Sequence, residues 1–135
     1  MRSVTPGRRG ELLITSCAFA LLFVVGALEG LIGCFQYSRM LGSVPALALA
    51  FAAGIFVTCV LAAWGTRAPA GGLMPAAGWF ITSFVLAMAT PGGSVVITNT
   101  AAGKWFLYGG AACAAGGVVV AFAVMSRSRP TMPGR

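Results

Sequence analysis

Histidine is absent from this chain, acidic residues number two, and charged residues of both signs make up only 8% of its 135 positions. Each shortage removes a class of function. No Ser/His/Asp set, no paired carboxylates and no metal-ligating cluster can be assembled, so the expectation is no enzyme, no cofactor and no metal. The four cysteines, Cys17, Cys34, Cys59 and Cys113, show no CxxC spacing. They read as small apolar packing residues, and Cys34 alone falls near an outer helix end where a thiol could meet an oxidant. A soluble domain carries about 25% charged residues, and a chain this poor in charge cannot cover a surface facing water.

What the chain has instead is apolar length. Hydrophobic residues make up 59% of it, and mean hydropathy reaches +0.93. A hydrocarbon core of about 30 Å takes about 20 residues of helix at 1.5 Å each. Four runs fit: Leu12–Phe35, Pro45–Trp64, Leu73–Thr90 and Trp105–Met125. Residues 1–11 precede them as an N-terminal segment, and residues 126–135 follow as a basic tail. The runs are continuous rather than alternating, which argues for helices and against strands. Ser43 and Pro45 read as the cap and first turn of the second helix, and Pro75 and Pro91 bracket the third. The predicted fold is all-α, a four-helix transmembrane bundle whose first partner is the lipid bilayer.

The net charge of +7 would suggest nucleic acid in a soluble protein. Here the basic residues sit at termini and loops, with no basic stripe interleaved with aromatics, so nucleic acid is not an expected partner. Arg2, Arg8, Arg9, Arg67, Arg127, Arg129 and Arg135 fall on one side of the bundle, and Arg39 and Lys104 on the other. Seven against two puts both termini in the cytoplasm of a multi-pass plasma-membrane protein. Trp64 at an inner end, and Tyr37, Trp105 and Tyr108 at outer ends, fit interfacial belts.

The longest loop runs from Pro91 to Lys104 on the outer side, with a Pro91-Gly92-Gly93 turn signal and a short β-prone stretch, Ser94–Thr98. It reads as an interfacial loop, or as a flap folding over the bundle. Gly103-Lys104 does not make a phosphate-binding loop. Thr98 replaces the first glycine, Trp105 replaces the required Ser or Thr, and the loop faces away from ATP. Leu31-Ile32-Gly33-Cys34 has the form of a bacterial lipobox. Glu29, three later spans and a run longer than a signal peptide's apolar region argue against cleavage there. The expectation is a chain that begins near Met1 and carries no lipid on Cys34.

Glu29 is the one acid inside a span, and an intramembrane ionisable residue is a functional-site hypothesis by default. Counting from Phe35 places it about 9 Å below the outer helix end. Gly26, Gly30 and Gly33 lie on or beside its helical stripe, where a neighbouring backbone can approach closely. Ser83 and Thr82 of the third helix are its candidate partners at similar depth, with Arg39 and Lys104 in reach from the rim. Glu29 then fixes helix register by hydrogen bonding, carries a proton or cation, or stays without consequence. A second small-residue stripe, Gly109, Cys113, Gly117 and Ala121, marks the fourth helix as a packing seam within the bundle or between the halves of a homodimer.

Thr90-Pro91-Gly92-Gly93-Ser94-Val95-Val96 is followed by Asn99, Gly103, Trp105, Tyr108 and Gly109. With Gly26-Ala27-Leu28-Glu29-Gly30 and Gly33, this pattern resembles small four-span membrane proteins of actinobacteria grouped as a family of unknown function. The resemblance extends from the first span to the last, and it implies four spans in a plasma membrane and no assigned activity. The lone glutamate in a Gly/Ala-rich first helix also looks similar to small multidrug-resistance transporters. There the carboxylate exchanges protons for a cationic drug inside an antiparallel dimer. Glu29 lies nearer the outer end than that family's glutamate, and the seven-to-two charge bias opposes dual insertion. The functional expectation is a structural or accessory partner of another membrane protein, with a proton-coupled transporter as the alternative.

Overall fold

The computed structural model describes residues 6–36, 41–88, 92–93, 97, 100–128 and 134. Among them are four helices long and apolar enough to cross a bilayer. They are α1 (Pro6–Gln36), α2 (Ala46–Thr66), α3 (Pro69–Ala87) and a fourth rod, α4 (Ala101–Arg127). The rod is an α-helical turn at Ala101–Lys104, a π-helical turn at Trp105–Gly109 and an α-helix from Gly110 to Arg127, continuous in backbone conformation. No strand occurs among the described residues. An isolated bridge between Leu41 and Val44 closes a tight turn ahead of α2, with Gly42 at a φ of 67°.

The helix ends differ from the apolar runs for local reasons. α1 begins at Pro6 rather than Leu12, and its 31 residues make a rod of about 46 Å, longer than a bilayer core of about 30 Å. Hydropathy falls where polar residues start, but backbone hydrogen bonding continues into the interface. α3 starts at Pro69, a first-turn proline whose missing N–H costs the helix nothing. Pro75 is therefore not the edge of α3; it lies inside the helix and is buried. At the far end Met88 turns extended, at φ −73° and ψ 135°. Ser43 does not cap α2: Pro45 holds the N-cap position, and no side chain bonds to the first turn.

α2 and α3, joined by Arg67 and Ala68 alone, form the central antiparallel pair, with α1 along α3 and α4 along α2. The stripe Ala48, Ala52, Ile55, Cys59 and Ala62 runs down the buried face of α2, alternating four- and three-residue steps as a helix-packing seam requires. The α1–α3 contact is made by backbones. A Cβ on Gly26 would run into the Pro75 carbonyl, and one on Gly78 would run into the Phe23 carbonyl. Such approach maximises the van der Waals contact that holds helices together in lipid. At the loop end Phe106 and Trp79 pack with ring centroids 5.6 Å apart, in space that Gly33 and Gly110 leave open. Ile97 also joins this core. The loop before α4 therefore sends an apolar side chain into the bundle, a contact its β-prone sequence did not announce.

Candidate intramembrane polar site

α1 places Glu29 on the side facing α2, where Thr58 Oγ1 donates to Glu29 Oε1 at 2.6 Å. The other carboxylate oxygen, Oε2, is buried and has no hydrogen-bond partner among the described residues. Cys59, the next residue of α2, is fully buried and belongs to the main core. The bond ties α1 to α2 on one flank, while Gly26 and Gly30, a step around the helix, close against α3. One turn of α1 thus holds two neighbours by different means, a side-chain hydrogen bond and backbone contact.

Ser83 and Thr82 are not bonded to Glu29. Both lie on α3 against Gly30: a Cβ there would stand 3.2 Å from Ser83 Oγ and 3.3 Å from Thr82 Cβ. Ser83 is 1% exposed, and its Oγ has no hydrogen-bond partner among the described residues. The two buried orphans, Glu29 Oε2 and Ser83 Oγ, thus sit on different flanks of α1. Such an atom typically costs about 1–3 kcal/mol. Lys104 is exposed, and among the described residues Glu29 makes no ion pair; Arg39 lies outside them.

Depth counting missed Thr58 for a geometric reason. It measured Cα positions, whereas helical side chains lean toward the N-terminus of their own helix. The Glu29 carboxylate is carried deeper than its Cα, to the level of Thr58 on the antiparallel α2. A threonine at mid-span in an otherwise apolar helix was the available signal.

The other expected positions divide. Cys34 is not near solvent: it is 1% exposed and packed in the core with Phe106 and Ile97, while Cys17 is the exposed cysteine. On α4, Gly117 packs against Cys59 Cβ and the Phe56 carbonyl. Gly109 and Cys113, however, lie beside the buried line, which is Gly110, Ala114, Gly117 and Ala121. Four residues turn a helix by 400°, so a strict four-residue spacing drifts about 40° per step, whereas steps of four, three and four stay on one face. In the loop, Gly92 and Gly93 are exposed, Gly93 at a φ of 78°. Pro91, Ser94 and Asn99 fall outside the described residues, as do Tyr37 and the remainder of the β-prone stretch apart from Ile97. Trp105 and Tyr108 are exposed on α4, at 55% and 74%, and do not join the polar site.

Among the described residues no group of three metal-ligating side chains converges. No curated protein and no solved structure matches the chain. A family model does match, over residues 6–135, which include all four helices, Glu29 and the glycines that pack α1 on α3. The chain therefore belongs to DUF6113, a family of unknown function.

Proposed function

We infer that this protein is a structural or accessory component of the plasma membrane, a compact four-helix unit that associates with another membrane protein. The observation that carries the reading is the Glu29–Thr58 bond beside the glycine contact of α1 with α3. It supports a register-fixing role for the lone intramembrane acid, in a part of the bundle packed backbone to backbone. α1 is also the least covered helix. In its most apolar window 6% of residues are buried, against 33% for α2 and for α3. Leu21, Val24, Leu28 and Ile32 thus face outward, a long apolar surface open to lipid or to a partner helix. Photo-crosslinking from Leu28 in native membranes tests this: one protein captured from Leu28 and not from Val119 of α4 is expected, and adducts with lipid alone would sink the idea.

A second reading has its own support. Glu29 Oε2 is buried and has no partner among the described residues, and could take a proton or cation in a transport cycle. Proton release from purified protein on addition of a cationic drug, lost in Glu29→Gln with thermal stability kept, would establish transport and displace the accessory reading.

A further inference from the structure

Where α2 passes into α3, the chain uses an arginine in a backbone conformation that suits glycine. Arg67 has φ 52° and ψ 28°, and it is the only non-glycine residue with positive φ among those described. The left-handed position ends α2: the Arg67 N–H reaches the Trp64 carbonyl at 3.3 Å and the Ala68 N–H reaches the Ala63 carbonyl at 3.3 Å. Glycine closes a helix this way without steric cost, and glycine holds the other two positive-φ positions described, 42 and 93. Capping therefore does not explain an arginine here. The charge bias at this end of the bundle accounts for a basic residue, and a cleft beside it points to what else its side chain does.

That side chain lines a cleft of about 810 Å³, open to the surface, between the α2–α3 joint and the last turns of α4. Trp64 and Pro69 form one apolar wall, and Phe122 and Met125 the other. Two hydroxyls, Ser126 and Ser128, also line it, but each donates to its own helix, to the Ala123 carbonyl at 2.9 Å and the Val124 carbonyl at 3.1 Å. No hydrogen bond or ion pair among the described residues engages the Arg67 guanidinium. Among the described residues it is thus the one charged donor lining this apolar cleft. The location is a helix end, with the Trp64 indole 71% exposed, the level at which tryptophan meets lipid headgroups.

We propose that this cleft binds one anionic phospholipid, with Arg67 on the phosphate and the upper acyl chain between Trp64 and the Phe122–Met125 wall. The walls decide between a lipid and a free phosphate. A free ion would gain a single guanidinium and lose water against apolar side chains, whereas a lipid covers both surfaces at once. A guanidinium also offers paired donors in the geometry of two phosphate oxygens. Arg8, Arg9 and Arg127 at the same end of the bundle raise the local potential without lining the cleft. The site is separate from Glu29, so its failure would leave the accessory reading untouched.

Native mass spectrometry of delipidated, full-length protein tests the proposal, using phosphatidylglycerol and phosphatidylcholine of identical chains. One phosphatidylglycerol should be retained roughly five-fold more tightly, as one basic side chain near an anionic lipid confers. Arg67→Gly should abolish that preference while the detergent melting temperature holds or rises, because glycine relieves the left-handed backbone. Met125→Trp, which keeps Arg67 but sets an indole across the wall the acyl chain lies against, should abolish it too. Arg9→Gln, which removes a charge from the same end, should leave it intact. A preference that survives Arg67→Gly or Met125→Trp, or that disappears equally in Arg9→Gln, would mean diffuse surface attraction and overturn the site. So would displacement of the lipid by excess inorganic phosphate.

Discussion

Glu29 and Thr58 meet across two helices, and the worth of that contact can be measured. Interhelical hydrogen bonds in membranes average about 0.6 kcal/mol, because the separated helices also find partners. Thr58 has such a partner in reach, since its hydroxyl can turn back to the carbonyl four residues earlier. A double-mutant cycle of Glu29→Leu and Thr58→Val, followed by unfolding in mixed micelles, should give a coupling of about 0.6 kcal/mol, with Glu29→Gln close to wild type. Zero coupling would remove the register role. Cys34 makes a different forecast. Its thiol is 1% exposed, packed with Phe106 and Ile97, which leaves a lipid no room there. Intact mass spectrometry of the membrane fraction should show Cys34 unmodified within an uncleaved α1, and a species beginning at Cys34 with a diacylglycerol increment would contradict it.

Helices here are distinguished less by which apolar residues they carry than by where they lack side chains. Gly78 and Gly54 look equivalent in sequence, each a glycine within an apolar helix. A Cβ on Gly78 meets the Phe23 carbonyl and the Ala27 nitrogen, whereas one on Gly54 meets nothing within 4 Å. Gly78→Ala should therefore force α1 from α3 and cost about 1–3 kcal/mol. Gly54→Ala should be neutral, or stabilising by up to about 1 kcal/mol, through helix propensity. Equal effects in detergent unfolding would deny the close α1–α3 contact. α4 provides a second pair. Gly117→Leu would push into Phe56 and Cys59, at a cost of about 1–3 kcal/mol. Val119→Leu, at a position 66% exposed, should stay within about 0.5 kcal/mol.

For the molecule as a whole, four helices in alternating directions bring the start of α1 and the end of α4 to one end of the bundle, with Arg8, Arg9, Arg67 and Arg127 there and Lys104 at the other. The helices themselves do not choose a leaflet. The lysine and arginine count does, seven to two over the full chain, and it predicts cytoplasmic termini. Paired reporters fused after Arg135, one active only in the cytoplasm and one only outside, measure this directly. Signal from the external reporter would invert the protein or change its span count.

Apolar length and continuity were enough to read four helices from the amino-acid order, because both are local properties that a bilayer imposes on any spanning segment. Glu29 stood out for the same local reason, the rarity of a carboxylate in an apolar run. Its partner did not. Thr58 in place of Ser83 or Thr82, Ile97 drawn into the core, Cys34 buried and Cys17 exposed all depend on which faces meet. So does the shift of the α4 seam from Gly109 and Cys113 to Gly110 and Ala114. In a helix that is apolar all round, hydropathy has no direction, so the pattern cannot say which face is lipid and which is neighbour. Close approach of backbones settles it at Gly26, Gly78 and Gly117, and the Trp79 ring settles it at Gly110; both exist only once the helices are packed.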